Sequence, residues 1–265
     1  MKTNAWLAAI VFPAAALFAQ HSGTTPAYPR GYLTPAQISG VALVVPSAPQ
    51  TGDPRFQADM AIFRETRKLE GSARWKMAQS DDNLSLVGLL GAFACSLGVR
   101  LGPADAPKIA TLLNRANEDA YRAADGMKKR YQHKRPFQVE PGDVCISPPG
   151  KAALERSPDY PSGHTALSWE TGLILSELDP ERAVQILQRA RAFGQSRVVC
   201  GVHNLSAVEA GWMTASAVFD MQMSSPEFKK DLEAARAEFA SLKSEIREPP
   251  SNCEAQAGLI SKDPY

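Results

Sequence analysis

From about Asp53 onward, apolar positions in this 265-residue chain recur at intervals of three and four, the pattern of helices that bury one face. Ile109, Leu112, Leu113, Ala116, Ala120 and Ala124 form one such stripe, with Asp105 placed to cap its start. Asp179-Pro180-Glu181 opens a second helix, with Ala183, Ile186, Leu187, Ala190 and Phe193 on one face and Gly194 as its expected end. Ser225-Pro226-Glu227 opens a third, carrying Phe228, Leu232, Ala235, Phe239 and Leu242. The apolar run Leu84 to Val99 is shorter than a bilayer span and contains Ser85, Gly88, Gly91 and Ser96, which predicts a buried core helix. Alternating strands and repeats are absent. The expected fold class is all-α, a single-domain helical bundle spanning residues 20–265, with irregular segments at 20–53 and 248–265.

A 44% apolar composition supplies a full core. The net charge of +1 excludes any global pull toward nucleic acid or an anionic membrane, so a basic site must be local. The first residues combine Lys2, an apolar run from Ala5 to Phe18, and the small Ala19, which predicts a signal peptide over residues 1–19 cleaved near Ala19. The run is short for a permanent anchor, so the expected product is periplasmic or secreted, without stable membrane insertion. Cys95, Cys145, Cys200 and Cys253 are an even set compatible with disulfides in an exported chain, and three pairings are open. No Cys-x-x-Cys or Cys/His cluster suggests a metal site, and no cofactor is expected.

The chemistry concentrates in three stretches. Lys128 to Arg135, KKRYQHKR, is followed by Pro136; on a helix ended by that proline, Lys128 and Arg135 would share a face about 10 Å apart. By itself such a run reads as a solvated charged face or a non-specific nucleic-acid patch. Pro161-Ser162-Gly163-His164 is a turn leading into a helical pattern, so it brings backbone N–H groups, a hydroxyl and an imidazole to a helix N-terminus, a natural anion site. Ser196-Arg197 precedes Gly201 and His203; the guanidinium fork suits phosphate oxygens, and Gly201 would let backbone approach a ligand.

Taken in order, K-x6-R-P, P-S-G-H and S-R-x5-H resemble the signature of the type 2 phosphatidic acid phosphatase superfamily, which includes the vanadium haloperoxidases. The chain is most similar to the class A bacterial non-specific acid phosphatases, from GYLTP through YPSGHTALSWETGLILSELDPERA to SSPEFKKDLEAARAEF. The resemblance implies a metal-independent acid phosphatase acting on small-molecule phosphate monoesters, inhibited by vanadate or phosphate analogues, with phosphotransferase side activity and a homo-oligomeric assembly. It assigns Lys128, Arg135 and Arg197 to the phosphoryl oxygens, Ser162 and the Gly163 amide to the oxyanion cradle, His203 to nucleophilic attack and His164 to general acid/base work.

One position departs from that signature. The family carries Asp four residues after the nucleophilic histidine, where this chain has Ala207. On a helix that carboxylate would hold the imidazole's second nitrogen and fix its tautomer. Glu209 lies about 120° around the helix and substitutes poorly, whereas Asp159 or Glu170, flanking the PSGH turn, would have to reach in from another segment. Activity is expected to survive in reduced or substrate-restricted form. The alternatives are a catalytically weakened phosphate- or vanadate-binding protein and a vanadate-dependent haloperoxidase.

Overall fold

Among the described residues, 30–245 and 250–265 of a computed structural model, the architecture is all-α and contains no strand. The expected signal segment lies outside them. The chain runs through α1 (Pro35–Gly40), α2 (Pro54–Arg67), α3 (Ala73–Ser80), α4 (Leu86–Leu97), α5 (Pro107–Tyr131), α6 (Pro136–Val139) and α7 (Pro148–Glu155). It continues through α8 (Gly163–Leu178), α9 (Ala183–Val199), α10 (Leu205–Met223), α11 (Pro226–Ser244) and α12 (Cys253–Ile260).

The largest apolar cluster joins α4, α5, α8, α9 and α11. Phe93, Leu112, Leu113, Ile174, Ile186, Phe228, Leu232 and Phe239 meet there, each at most 2% exposed. The run that predicted a core helix forms α4, with Leu90 and Phe93 fully buried. Among the described residues no helix is long and apolar enough to cross a membrane.

Several boundaries differ from the sequence pattern, each because a tertiary contact overrides a local signal. Asp105 does not cap α5; the backbone N–H groups of Lys108 and Ile109 donate instead to the Glu238 carboxylate of α11, at 2.9–3.0 Å. Gly194 does not end α9, which continues to Val199. A Cβ at 194 would come within 2.8 Å of Trp212 Nε1 and 2.9 Å of a Thr165 methyl, so this glycine permits close packing of α8, α9 and α10. Pro136 does not terminate the helix of Lys128. That helix closes at Gln132 in left-handed conformation, and Pro136 begins α6, the first-turn position where a missing N–H costs nothing.

The end segments are also more ordered than their composition suggested. Within 20–53, Thr34 and Gln37 form a reciprocal capping box that starts α1 at Pro35. Within 248–265, α12 is tied to the end of α4 by a Cys95–Cys253 disulfide. The second disulfide, Cys145–Cys200, resolves the pairing and fastens the loop before α7 to the end of α9.

Candidate active site

The three motifs converge where the end of α5, the N-terminus of α8, the end of α9 and the entry to α10 meet. The apolar stripe of α5 continues to buried Met127, so the next residue, Lys128, leaves the core at its edge. Its ammonium donates to the Pro158 carbonyl and, at 3.3 Å, to that of Asp159. Burial and neighbouring Arg135 bring its pKa down to about 7. A Cβ on Gly163 would lie 4.0 Å from Lys128 Cε, which places the ammonium-bearing chain beside the start of α8. At that start Ser162 caps the helix, accepting from Thr165 N–H and from Thr165 Oγ1–H at 2.9 Å.

Arg135 is 2% exposed and almost fully occupied. Its Nε donates to the carbonyls of Leu154 and Ser157, and its Nη1 donates to the Val202 carbonyl at 2.6 Å and to His203 Nε2 at 3.2 Å. Because a guanidinium only donates, Nε2 of His203 is the lone-pair nitrogen and its proton sits on Nδ1. That proton goes to Asp159 Oδ1, 2.7 Å away. The carboxylate that the third motif lacks is therefore supplied from the loop between α7 and α8. Asn204 clamps it further, its backbone N–H donating to Oδ1 and its side-chain amide to Oδ2 at 2.8 Å.

Position and packing explain why Asp159 serves and the other acidic residues do not. The Ser162 N–H donates to the Ala207 carbonyl at 2.8 Å, stitching the PSGH turn to the first turn of α10 and bringing residue 159 against His203. Ala207 itself is fully buried. Glu170 is also fully buried, with neither carboxylate oxygen partnered among the described residues; desolvation raises its pKa well above the usual range and favours the uncharged acid, which takes no part in the site's hydrogen bonds. Glu209 is exposed. Desolvation would raise the Asp159 pKa, but hydrogen bonds from His133 and His203 and the charge of Arg135 outweigh it and hold Asp159 well below the carboxylate range.

The opposite side is built around Arg197 and His164. Arg197 is fully buried on α9, its Nη2 donating to Asp82 Oδ1 at 2.8 Å, while Nε and Nη1 have no protein partner among the described residues. His164 Nε2 donates to the Asp82 carbonyl at 3.2 Å. The loop that carries Asp82 is anchored by its neighbour: buried Asp81 accepts from the Arg189 guanidinium and from Ser196 Oγ at 2.6 Å. Desolvation and nearby cations, led by Arg197 at His164 and by Arg135 at His203, drive both imidazole pKa values well below normal. Gly201 does not face a ligand as the sequence suggested. It turns at φ +76°, and a Cβ there would meet the Arg67 guanidinium at 2.4 Å, so glycine admits the arginine that binds the carbonyls of Val198 and Val199.

Sequence reasoning missed Asp82, Asn204 and the role of His133, whose Nδ1 lies 3.3 Å from Asp159 Oδ2. Nothing in a linear motif marks residues that act on a site through another side chain.

Residues 118–225, the span holding all three clusters, match the model of the PAP2 superfamily. An acid phosphatase of Zymomonas mobilis subsp. mobilis is 37% identical over 76% of this chain and 76% of its own, and a non-specific acid phosphatase of Providencia stuartii is 37% identical over 80% and 86%. The chain belongs to the class A non-specific acid phosphatases. A non-specific acid phosphatase of Salmonella typhi is 33% identical over 81% of this chain and 86% of its own. Among solved structures, a bacterial vanadium-dependent iodoperoxidase shares the fold, with a TM-score of 0.55 over 71% of this chain and 53% of that one at 18% identity.

Proposed function

We propose that this protein hydrolyses phosphate monoesters through a covalent phosphohistidine on His203, with no metal required. The observation that carries the reading is the state of that ring: neutral, buried, lone pair on Nε2 beside a guanidinium, proton on Nδ1 held by Asp159. A histidine oriented in this way is ready to attack phosphorus, and the loss of Asp at 207 does not disable it.

The rest of the site fits the same chemistry. Arg197 offers two unpartnered nitrogens to equatorial phosphoryl oxygens, with Lys128, Arg135, Ser162 and the α8 N-terminus around them. In attack, the Nε2 lone pair forms the N–P bond as the P–O bond to the leaving group breaks. His164 gives its Nε2 proton to that oxygen, then takes a proton from the water that cleaves the phosphohistidine. The phosphoryl dianion and Asp82 favour the imidazolium that His164 needs, offsetting the desolvation that depresses its pKa. A rate that requires His203 neutral and His164 protonated is bell-shaped in pH.

Leu167, one turn beyond His164 on α8, and Leu84, two residues beyond Asp82, line a cavity of about 370 Å³ with Leu89 and Tyr121. Asn114, Asn117 and Glu118 line it as well, so it suits a leaving group that is part apolar and part polar. Two disulfides fit an oxidising compartment, in line with a periplasmic or secreted enzyme.

Hydrolysis of an aryl phosphate in EDTA, with acid-stable and acid-labile phosphoenzyme separated after quenching, tests the proposal. Acid-labile label that disappears in His203→Ala and accumulates in His164→Ala is expected. Turnover in His203→Ala equal to wild type would sink it.

A further inference from the structure

Asp159 has a second histidine on its far oxygen. His133 reaches it from the loop after α5, its Nδ1 3.3 Å from Oδ2, while the Asp159 backbone N–H donates to the His133 carbonyl at 2.8 Å. The two residues are thus joined through side chain and main chain. The three side chains of the chain are almost sealed from water: His133 is 10% exposed, Asp159 0% and His203 2%. Asp159 only accepts, and with Asp59 it places two carboxylates around the ring, which favours the imidazolium.

Resting on the reading of His203 as nucleophile, we infer that His133 is a positioning residue: as a buried imidazolium it neutralises the far side of Asp159 and so sets how firmly that carboxylate holds the nucleophile. The Asp stays ionised and no proton crosses it. The arrangement replaces the single carboxylate missing at 207 with a three-member His133–Asp159–His203 chain whose histidines come from the first and third motifs and whose carboxylate comes from the loop just ahead of the second.

The surroundings of His133 fix the sign of its effect. Asp59 of α2 faces it, itself held by Ser206 N–H at 2.9 Å and Ser206 Oγ; the Tyr160 ring lies edge-on at 6.3 Å, and Asn204 shares Asp159 Oδ2. On the His133 chain itself, Lys134 and Arg135 follow in sequence, and Lys128 binds the Asp159 carbonyl. Burial would lower the His133 pKa, but Asp159 and then Asp59 outweigh it and raise it above the ordinary value. As pH rises through that raised pKa, Asp159 loses its counter-charge. The unshielded carboxylate then stabilises a protonated His203 more strongly and draws harder on its Nδ1 proton.

Two measurements test this. His133→Asn keeps a donor near Oδ2 and discards the charge. It should lower kcat about five- to twentyfold, move the acid limb of kcat/KM up by roughly half to one pH unit, and leave phosphate affinity within about threefold. A merely structural residue would lower thermal stability without moving the limb. In wild type, a proton spectrum of the His203 Nδ1–H should shift with a midpoint equal to that of the His133 ring. An unmoved acid limb in a folded variant, or a His203 signal indifferent to His133 titration, would overturn the inference. The spectrum requires no turnover, so the absence of a phosphoenzyme would count against the phosphatase mechanism and leave the coupling to be judged separately.

Discussion

The two histidines of the site occupy opposite kinds of surroundings. His203 has a protein partner on each ring nitrogen, Asp159 at 2.7 Å and Arg135 at 3.2 Å, and its side chain is 2% exposed. His164 is 21% exposed and leans on the carbonyl of Asp82, whose side chain is 45% exposed; Arg197 has two nitrogens without a partner among the described residues. One half has its polar groups engaged by the protein, and the other keeps donors without a protein partner among the described residues. The division suits the chemistry proposed. A nucleophile gains from being oriented before the phosphoryl group arrives, whereas the group that meets the leaving oxygen must exchange its partner during the reaction.

Breaking the completed half gives the largest effect. Asp159→Asn removes the carboxylate that fixes the His203 tautomer, and in serine proteases the equivalent change costs about 10⁴ in turnover. A loss of roughly 10³ to 10⁴ in kcat is expected, measured on an aryl phosphate with KM tracked alongside. A loss under about tenfold would place the orienting role elsewhere. Ala207→Asp alone should bring no gain in kcat, because Nδ1 is already engaged and position 207 is fully buried.

The pH dependence of stability sharpens the same comparison. His164 and His203 are both depressed in the folded state, so the unfolded chain binds more protons below the unfolded histidine pKa of about 6.5, and each removes up to about 1.4 kcal/mol per pH unit as pH falls below it. His133, raised when folded, has the opposite sign: its contribution is fully present below about 6.5 and is lost as pH rises through its folded pKa. Glu170, Asp59 and Asp119 are raised when folded and share the sign of His133, so the depressed rings are read by difference: in phosphate-free buffer, acidification from about pH 7 to 5 should lower Tm more in wild type than in His164→Ala. Saturating phosphate should flatten the fall by binding the folded state and favouring His164 protonation. Equal pH slopes of Tm in wild type and His164→Ala between about pH 7 and 5 would contradict the neutral, desolvated state of that ring.

The smallest effect belongs to the open half. Asp82 Oδ1 sits 2.8 Å from Arg197 Nη2, where it competes electrostatically with a phosphate oxygen. Asp82→Ala should tighten inhibition by inorganic phosphate about three- to tenfold, with kcat within about threefold, since the carboxylate is exposed and screened. Weaker phosphate inhibition in the variant would make Asp82 a support of the site rather than a competitor.

Much of this was legible in the linear chain. The three- and four-residue periodicity determined an all-α fold, because a helix must turn one stripe toward a core whatever it packs on. The motifs determined which cations and histidines could gather around phosphate, since residue type and local turn chemistry are properties of short segments. The sequence also showed that Ala207 cannot orient a histidine.

Which residue does so was decided only by the tertiary structure. Asp159 lies 44 residues from His203 and Glu170 is equally charged on paper; hydrogen bonds such as that between Ser162 N–H and the Ala207 carbonyl help hold the first against the ring, while the second is buried with its pKa raised. The same holds for Glu238 capping α5, Arg67 against Gly201, and His133 behind Asp159. Periodicity and propensity report the chain's own neighbours, whereas hydrogen bonds and desolvation act through space, over a few ångströms that no spacing along the sequence encodes.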